Sequence, residues 1–298
     1  MKECLPATSD TIFKSLFGNQ KNSQKILIPF LRAVWPLPED DYEHVVLLKN
    51  SPDEASADGK GSVLDICVRT ARGKLIDIEI QRQAQSAQRE RFLFYAAKLF
   101  ASQAQKGIPY RELKPAYGLL ITEFTLIGEN RDYHNRWQFR NPKDNALFSD
   151  ILEISTLELP KLPKEEDGQP LWRWLEFLKL RNKEELDMLA HRHEDLREAV
   201  EQLTLLSEDA DVRRLYDLEF KRETDFANRQ LDALEKGWSE GLAKGLAEGR
   251  EEGREEGLAE SRQAIARNML NGGFAPDLVA RMTGLSADEI AALGPGPV

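Results

Sequence analysis

Apolar positions in the first 160 residues switch repeatedly between the spacing of a helix and that of a strand. Ser9-Asp10 precedes Thr11-Ile12-Phe13-Lys14-Ser15-Leu16-Phe17, and Gly18 follows, which reads as an N-cap, a short striped helix and a stop. Asn22 to Trp35 repeats apolar residues at helical spacing until Pro36. Three segments rich in Val, Ile and Leu come next and read as strands: His44–Leu48, Ser62–Thr70 and Lys74–Gln81. Ser86 to Gln105 predicts a long helix ended by Gly107-Ile108-Pro109, and Ala116–Phe124 is an apolar run suited to a central strand. Trp137–Arg140 and Asp150–Leu159 add predicted edge strands. The expected fold class is α/β, a mixed sheet flanked by helices.

Beyond residue 160 the pattern is helical and acidic. Pro170 opens a helix in which Leu171, Trp172, Leu175, Phe177, Leu178 and Leu180 read as core. His191 and His193 are two apart, which puts them on different sides of a helix and argues against a metal pair. Gly237, Gly241, Gly245, Gly249, Gly253 and Gly257 then recur every four residues. Each costs roughly 1 kcal/mol relative to alanine inside a helix, so this helix is expected to fray alone. Their stripe allows close approach by the same helix of a second chain; a charged linker is the plainer alternative. In the last segment, Gly272-Gly273, Pro276, Gly284 and the capping box Ser286-Ala287-Asp288-Glu289 mark out short helices. This layout resembles a helix-turn-helix, but its second and third helices contain only Arg281 as a basic residue. A small packing or protein-contact module is therefore expected. The domains read as 1–160 for the α/β core, 161–235 for an acidic helical region, 236–262 for the glycine repeat and 263–298 for the terminal module.

Charge sharpens this division. The 298 residues contain 41 Lys and Arg against 51 Asp and Glu, a net charge of −10. Residues 1–160 contain 21 of each sign, so the remaining 20 basic and 30 acidic residues supply the whole imbalance. Binding to a polyanion is therefore expected in the first half, and only weakly unless metal ions assist. Two cysteines, Cys4 and Cys67, form no disulfide or zinc pattern. The first ten residues lack the apolar run of a secretory signal, and no apolar stretch approaches the roughly 20 residues of a membrane span. A cytoplasmic protein without membrane contact is expected.

The unusual chemistry lies inside the strands. Asp is disfavoured there, yet Asp65 interrupts Val63-Leu64-Asp65-Ile66-Cys67-Val68, and Asp77, Glu79 and Gln81 alternate with Ile76, Ile78 and Ile80. A three-residue hairpin loop at Ala71-Arg72-Gly73, with Gly73 left-handed, would set Thr70 opposite Lys74. Counting outwards, Cys67 then faces Asp77 and Asp65 faces Glu79. Carboxylates about 5 Å apart repel by about 3 kcal/mol at an effective dielectric of ~20. A divalent cation would reverse that sign, and carboxylate oxygens suit Mg²⁺ or Mn²⁺. A two-residue turn at Arg72-Gly73 would put the two acids on opposite faces instead. The other alternative is a sheet with a wet polar face on which Asp77, Glu79 and Gln81 are merely solvated.

Asp65 followed by Glu79-Ile80-Gln81 resembles the D…(D/E)-x-K signature of PD-(D/E)XK nucleases, with Gln81 in the lysine position. Asp10-Thr-Ile-Phe-Lys-Ser-Leu-Phe-Gly18, Leu64-Asp-Ile, Ile78-Glu-Ile-Gln81 and Gly107-Ile-Pro-Tyr-Arg-Glu-Leu-Lys-Pro115 are similar to the recombination-promoting nuclease/putative transposase family, as are the Gly-Glu repeat and Met282-Thr-Gly-Leu-Ser286. The resemblance implies a restriction-endonuclease-like sheet with an acidic all-helical C-terminal region. It also implies a metal-dependent DNA endonuclease linked to recombination or transposition. Asp65 and Glu79 would bind Mg²⁺, Gln81 would orient water or a phosphate oxygen, and Asp10 would complete the metal shell from the first helix. Lys14, Arg91 and Tyr95 would contact phosphate, Arg91 and Tyr95 sharing a helix face at four-residue spacing. Gln81 cannot neutralise developing charge as a lysine would. A non-catalytic assembly protein on a degenerate nuclease fold is the alternative implication. In the endonuclease reading the C-terminal helices would join copies into a homodimer or regulate the site; in the assembly reading they would be the working part.

Overall fold

The computed structural model describes residues 3–48, 66–104, 106, 107 and 109–294. Asp65 lies outside these residues, as do Ser62, Val63 and Leu64. The chain separates into one unit at Met1–Lys221 and a second at Arg222–Val298.

In the first unit, α1 (Asp10–Phe17) starts where Ser9 Oγ accepts a hydrogen bond from the Ile12 amide, and it ends at Gly18. The Asn22–Trp35 segment divides into a π-helical turn at Ser23–Leu27 and α2 (Ile28–Val34). Pro29 explains where α2 begins, because its missing N–H is harmless only in a first turn. Next come β1 (Val45–Leu47), β2 (Ile66–Thr70), β3 (Leu75–Gln81), α3 (Gln88–Ala101), β4 (Ala116–Thr122), β5 (His134–Arg140) and β6 (Leu147–Glu158). Helices α4 (Pro170–Lys179), α5 (Lys183–Arg192) and α6 (Arg197–Glu208) follow.

The strands form one six-stranded sheet in the order β1-β2-β3-β4-β6-β5. β3, β4 and β6 run parallel, while β1, β2 and β5 are antiparallel to their neighbours. Asp150–Leu159, expected at an edge, instead belongs to a strand paired on both sides; only β5 occupies that edge. Period-two alternation with a buried half resembles an edge strand in sequence, whereas here buried polar residues occupy the remaining positions of β6. Glu153, Ser155, Thr156 and Glu158 are all buried.

Two layers cover the sheet. Ile76, Ile78 and Ile80 of β3, with Tyr117, Leu119 and Ile121 of β4, join a large core containing Phe13, Phe17, Phe30, Trp174 and Phe177. The same core takes in Leu186, Leu189, Leu196 and Leu203, so α4 to α6 complete this layer and are not a separate module. On the other face Cys67, Leu75, Ala116 and Leu152 pack under Ala96 and Leu99 of α3. Gly118 permits this contact, since a Cβ there would lie 3.0 Å from the Phe92 ring.

Helix α7 (Ala210–Asn271) begins in the first unit and runs unbroken through the glycine repeat. It is followed by α8 (Pro276–Thr283), closed by left-handed Gly284, and α9 (Ala287–Ala292), opened by the expected capping box on Ser286 and Glu289. Ala266, Val279 and Ile290 make a small core of their own. No helix among the described residues is long and apolar enough to cross a membrane.

Candidate nuclease site

The β2–β3 hairpin decides how the acidic residues are displayed. Gly73 has φ +87°, its amide donates to the Thr70 carbonyl at 2.9 Å, and the Thr70 amide donates to the Lys74 carbonyl at 2.9 Å. This is the three-residue loop with a left-handed third residue. The resulting ladder pairs Cys67 with Asp77 and Ile66 with Ile78. The two-residue turn is excluded, and Asp77 keeps the partner that the sequence count assigned to it.

The polar face of β3 is not wet. Asp77 is 0% and Glu79 4% exposed, against the solvated face held open above. The reason is α3, which covers the side of the sheet opposite the isoleucines. Asp77 pairs with Gly118, on which Phe92 rests; Glu79 pairs with Leu120 and Gln81 with Thr122. Toward the start of β3 this face is apolar, with Leu75, Cys67, Ala116 and Leu152. Toward its carboxyl end it is polar, with Glu79, Gln81, Thr122, Thr156 and Glu158. Ligand sites of open α/β sheets lie at the carboxyl ends of their parallel strands. Burial beside Asp77 pushes the Cys67 thiol up to about 12, which leaves it an inert packing group.

The other expected site residues divide between two helices. On α1, Lys14 Nζ lies 2.7 Å from Asp10 Oδ1, and the Asp10 and Thr11 amides donate to the Glu219 carboxylate at 2.8 and 3.0 Å. On α3, the Arg91 guanidinium sits 5.9 Å from the Tyr95 ring centroid and donates to Gln85 Oε1 at 2.8 Å. The four-residue spacing therefore does place Arg91 and Tyr95 side by side, on the helix that covers Glu79. Around the end of α1, Arg181 donates to Thr8 Oγ1 and Glu123 Oε1, both at 3.0 Å, and Arg82 Nε lies 3.5 Å from Glu123 Oε2. Sequence reading missed Arg181, which arrives from the connection between α4 and α5, and Glu219, which arrives from the long helix that follows α6; neither has a local motif.

Residues 7–233 match the PD-(D/E)XK nuclease family transposase, more than half of the chain. The chain belongs to that family. Residues 259–295 match the Rpn/YhgA-like nuclease family C-terminal HTH domain. Residues 259–295 are therefore similar to a helix-turn-helix domain, against the plain packing module expected from α8 and α9. The expectation failed because it counted charge on those two helices alone. Exposed Arg262 and Arg267 stand on the last turns of α7, which pack on α8 and α9. No curated protein and no solved structure matches the chain significantly.

The family's divalent metal can be tested against the side chains present. Among the described residues no group of three or more His, Cys, Asp and Glu side chains is placed to hold a metal. Mg²⁺ does not need one, since it binds through one or two carboxylates with waters and substrate phosphate. Buried Glu79 is a carboxylate suited to such a role, and Asp65, the second ligand expected from the sequence, lies outside the described residues.

Proposed function

We propose that the chain is a cytoplasmic, Mg²⁺-dependent DNA endonuclease that hydrolyses phosphodiester bonds in recombination or transposition. The observation that carries this reading is Glu79, a carboxylate buried at the carboxyl end of a parallel strand, in a family of nucleases. Asp65 and Glu79 would hold the ion, with Mn²⁺ able to replace it, and Asp10 would add a ligand from α1. A divalent ion held by these residues would supply polarisation of the scissile phosphate and a lowered pKa for the attacking water. Gln81 orients that water through its carboxamide. Arg91 and Lys14 hold the flanking phosphates as cations, and Tyr95 fixes the Arg91 guanidinium by a cation–π contact. The helix-turn-helix domain supports DNA as the partner.

We further propose that two copies pair through α7, setting two sites for the two strands of a duplex. Trp238, Leu242 and Leu246 are exposed beside the glycine stripe, which supports this pairing. Light scattering checks it: the full chain gives the mass of a dimer, and Leu242→Glu with Leu246→Glu gives a monomer.

Gln81 in place of a cation favours the second reading, a non-catalytic assembly protein on the nuclease fold. Plasmid nicking separates the two. The wild type nicks with Mg²⁺ or Mn²⁺ and stops in EDTA, while Glu79→Ala is inactive. Nicking that survives Glu79→Ala removes this site, and an inactive wild type favours the assembly reading.

A further inference from the structure

Gln88 is the first residue of α3, and it is 5% exposed. Among the described residues neither its Nε2 nor its Oε1 has a hydrogen-bond partner. Folded proteins satisfy nearly all buried polar groups, so an amide left with both ends open is unusual. Four buried positions, Gln88, Phe92, Ala96 and Leu99, form the inward stripe of α3. Three of them are apolar, and Gln88 is the one polar member.

The stripe also locates Gln88. Leu99 packs with Leu75 and Ala116 at the beginning of β3 and β4. Further along, a Cβ at Gly118 would meet Ala96 at 3.5 Å and Phe92 at 3.0 Å. The helix therefore runs back along the two strands, and Gln88 lies one turn beyond Phe92 toward their carboxyl ends. One turn advances about 5.4 Å, close to two strand residues of about 3.3 Å each. Two residues beyond Gly118 is Leu120, whose ladder partner is Glu79. The unsatisfied amide thus lies level with the candidate catalytic carboxylate, on the same side of the sheet.

We infer that Gln88 is a substrate-contact residue whose Nε2–H donates to a non-bridging oxygen of the phosphodiester held at Glu79. This rests on the nuclease reading. The chemistry suits the position: a carboxamide binds an anionic oxygen without adding charge beside Arg91, and its burial excludes competing water. A purely structural role has the opposite signature, because an apolar side chain of similar size would then serve better.

The test compares the full chain with Gln88→Leu, using two readouts. Nicking with Mg²⁺ falls about 100-fold, the usual loss on removing one preorganised donor. The melting temperature stays level or rises, since an unsatisfied polar group has been removed. In ¹H–¹⁵N spectra, the side-chain amide signal missing from Gln88→Leu is assigned to Gln88. In the wild type that signal shifts downfield when Mg²⁺ and the dinucleotide thymidylyl-thymidine are added. The dinucleotide is too short to engage the helix-turn-helix. An unmoved amide signal overturns the inference, whatever happens to nicking, and so does nicking by Gln88→Leu at the wild-type rate. An inactive wild type is a failure of the nuclease reading instead; a moving amide would still report a phosphodiester contact there.

Discussion

Glycine means different things in the two units of this chain. At Gly118 a side chain would press into the Phe92 ring at 3.0 Å, so the residue exists to let α3 settle on β4. At Gly237, Gly241, Gly245, Gly249, Gly253 and Gly257 an added Cβ would meet nothing within 4 Å beyond its own helix turn among the described residues. The core glycine costs backbone entropy and gains close packing in return. The helical glycines carry the same cost with no neighbour among the described residues to offset it. Ion pairs repeat the contrast. Glu153 is buried and meets Arg136 at 2.7 Å, whereas Lys236–Glu240 and Lys244–Glu248 are exposed pairs at 3.9 and 3.7 Å. Exposed pairs of that kind contribute a few tenths of a kcal/mol at most. The core is explained by its own contacts, whereas the repeat has no such contact among the described residues.

The sharpest way to break this comparison is to replace all six repeat glycines by alanine. At about 1 kcal/mol each, the helix gains about 6 kcal/mol, read as higher melting of the 222 nm circular dichroism signal. If the stripe is where a second copy packs, the same variant loses the dimer mass in light scattering. A variant that melts higher and still forms the dimer would take the glycines out of the contact.

Arg136→Met is next in size. Trp35, Gln138 and Arg136 all donate to the Glu153 carboxylate, Arg136 through two nitrogens at 2.7 and 2.8 Å. Burial alone would raise the Glu153 carboxyl, but these donors hold it below the usual range. Removing the arginine strands a buried charge, at a cost of about 3 kcal/mol given that Arg136 is itself part-exposed. The pH dependence has a fixed sign. A depressed folded-state pKa stabilises above the unfolded value of about 4.3 and is lost as pH falls through the folded value. Urea titrations should therefore separate wild type from variant at pH 7 and bring them together in acid. Gly118→Val should cost less, about 2 kcal/mol by overpacking against Phe92.

Much of this was legible in the sequence because local signals were strong. Ser9 and Gly18 bounded α1, Ser286 with Glu289 opened α9, and the glycine at 73 fixed the hairpin register. What could not be read was anything set by layers. Alternation in β3 fits equally a wet face and a face under a helix, and only the arrival of α3 over Gly118 distinguishes them. Asp150–Leu159 read as an edge for the same reason: strand order is a long-range property. Among the candidate site residues, the Cys67–Asp77 pairing and the Arg91–Tyr95 adjacency followed from spacing. Gln88 did not, because a glutamine opening a helix has no pattern until its burial is known.

The smallest effect tests the local signal on which the carboxylate geometry depends. Gly73 has φ +87°, so alanine there should cost about 1 kcal/mol from the left-handed conformation alone. The Lys114 Cγ, 3.2 Å from the added Cβ, belongs to a flexible side chain and can withdraw. Asparagine tolerates the left-handed region better than alanine, so Gly73→Asn should recover part of the loss. Neither change should move the register, because Ile66, Val68, Ile76 and Ile78 are all buried on one face and a one-residue slip would turn them out. Inserting a residue after Arg72 attacks the register itself. If the order of the site is set by this loop, nicking should fall far more on insertion than on Gly73→Ala, at comparable loss of stability in urea. Equal losses of activity would mean that the buried isoleucines, not the turn, hold Glu79 in place.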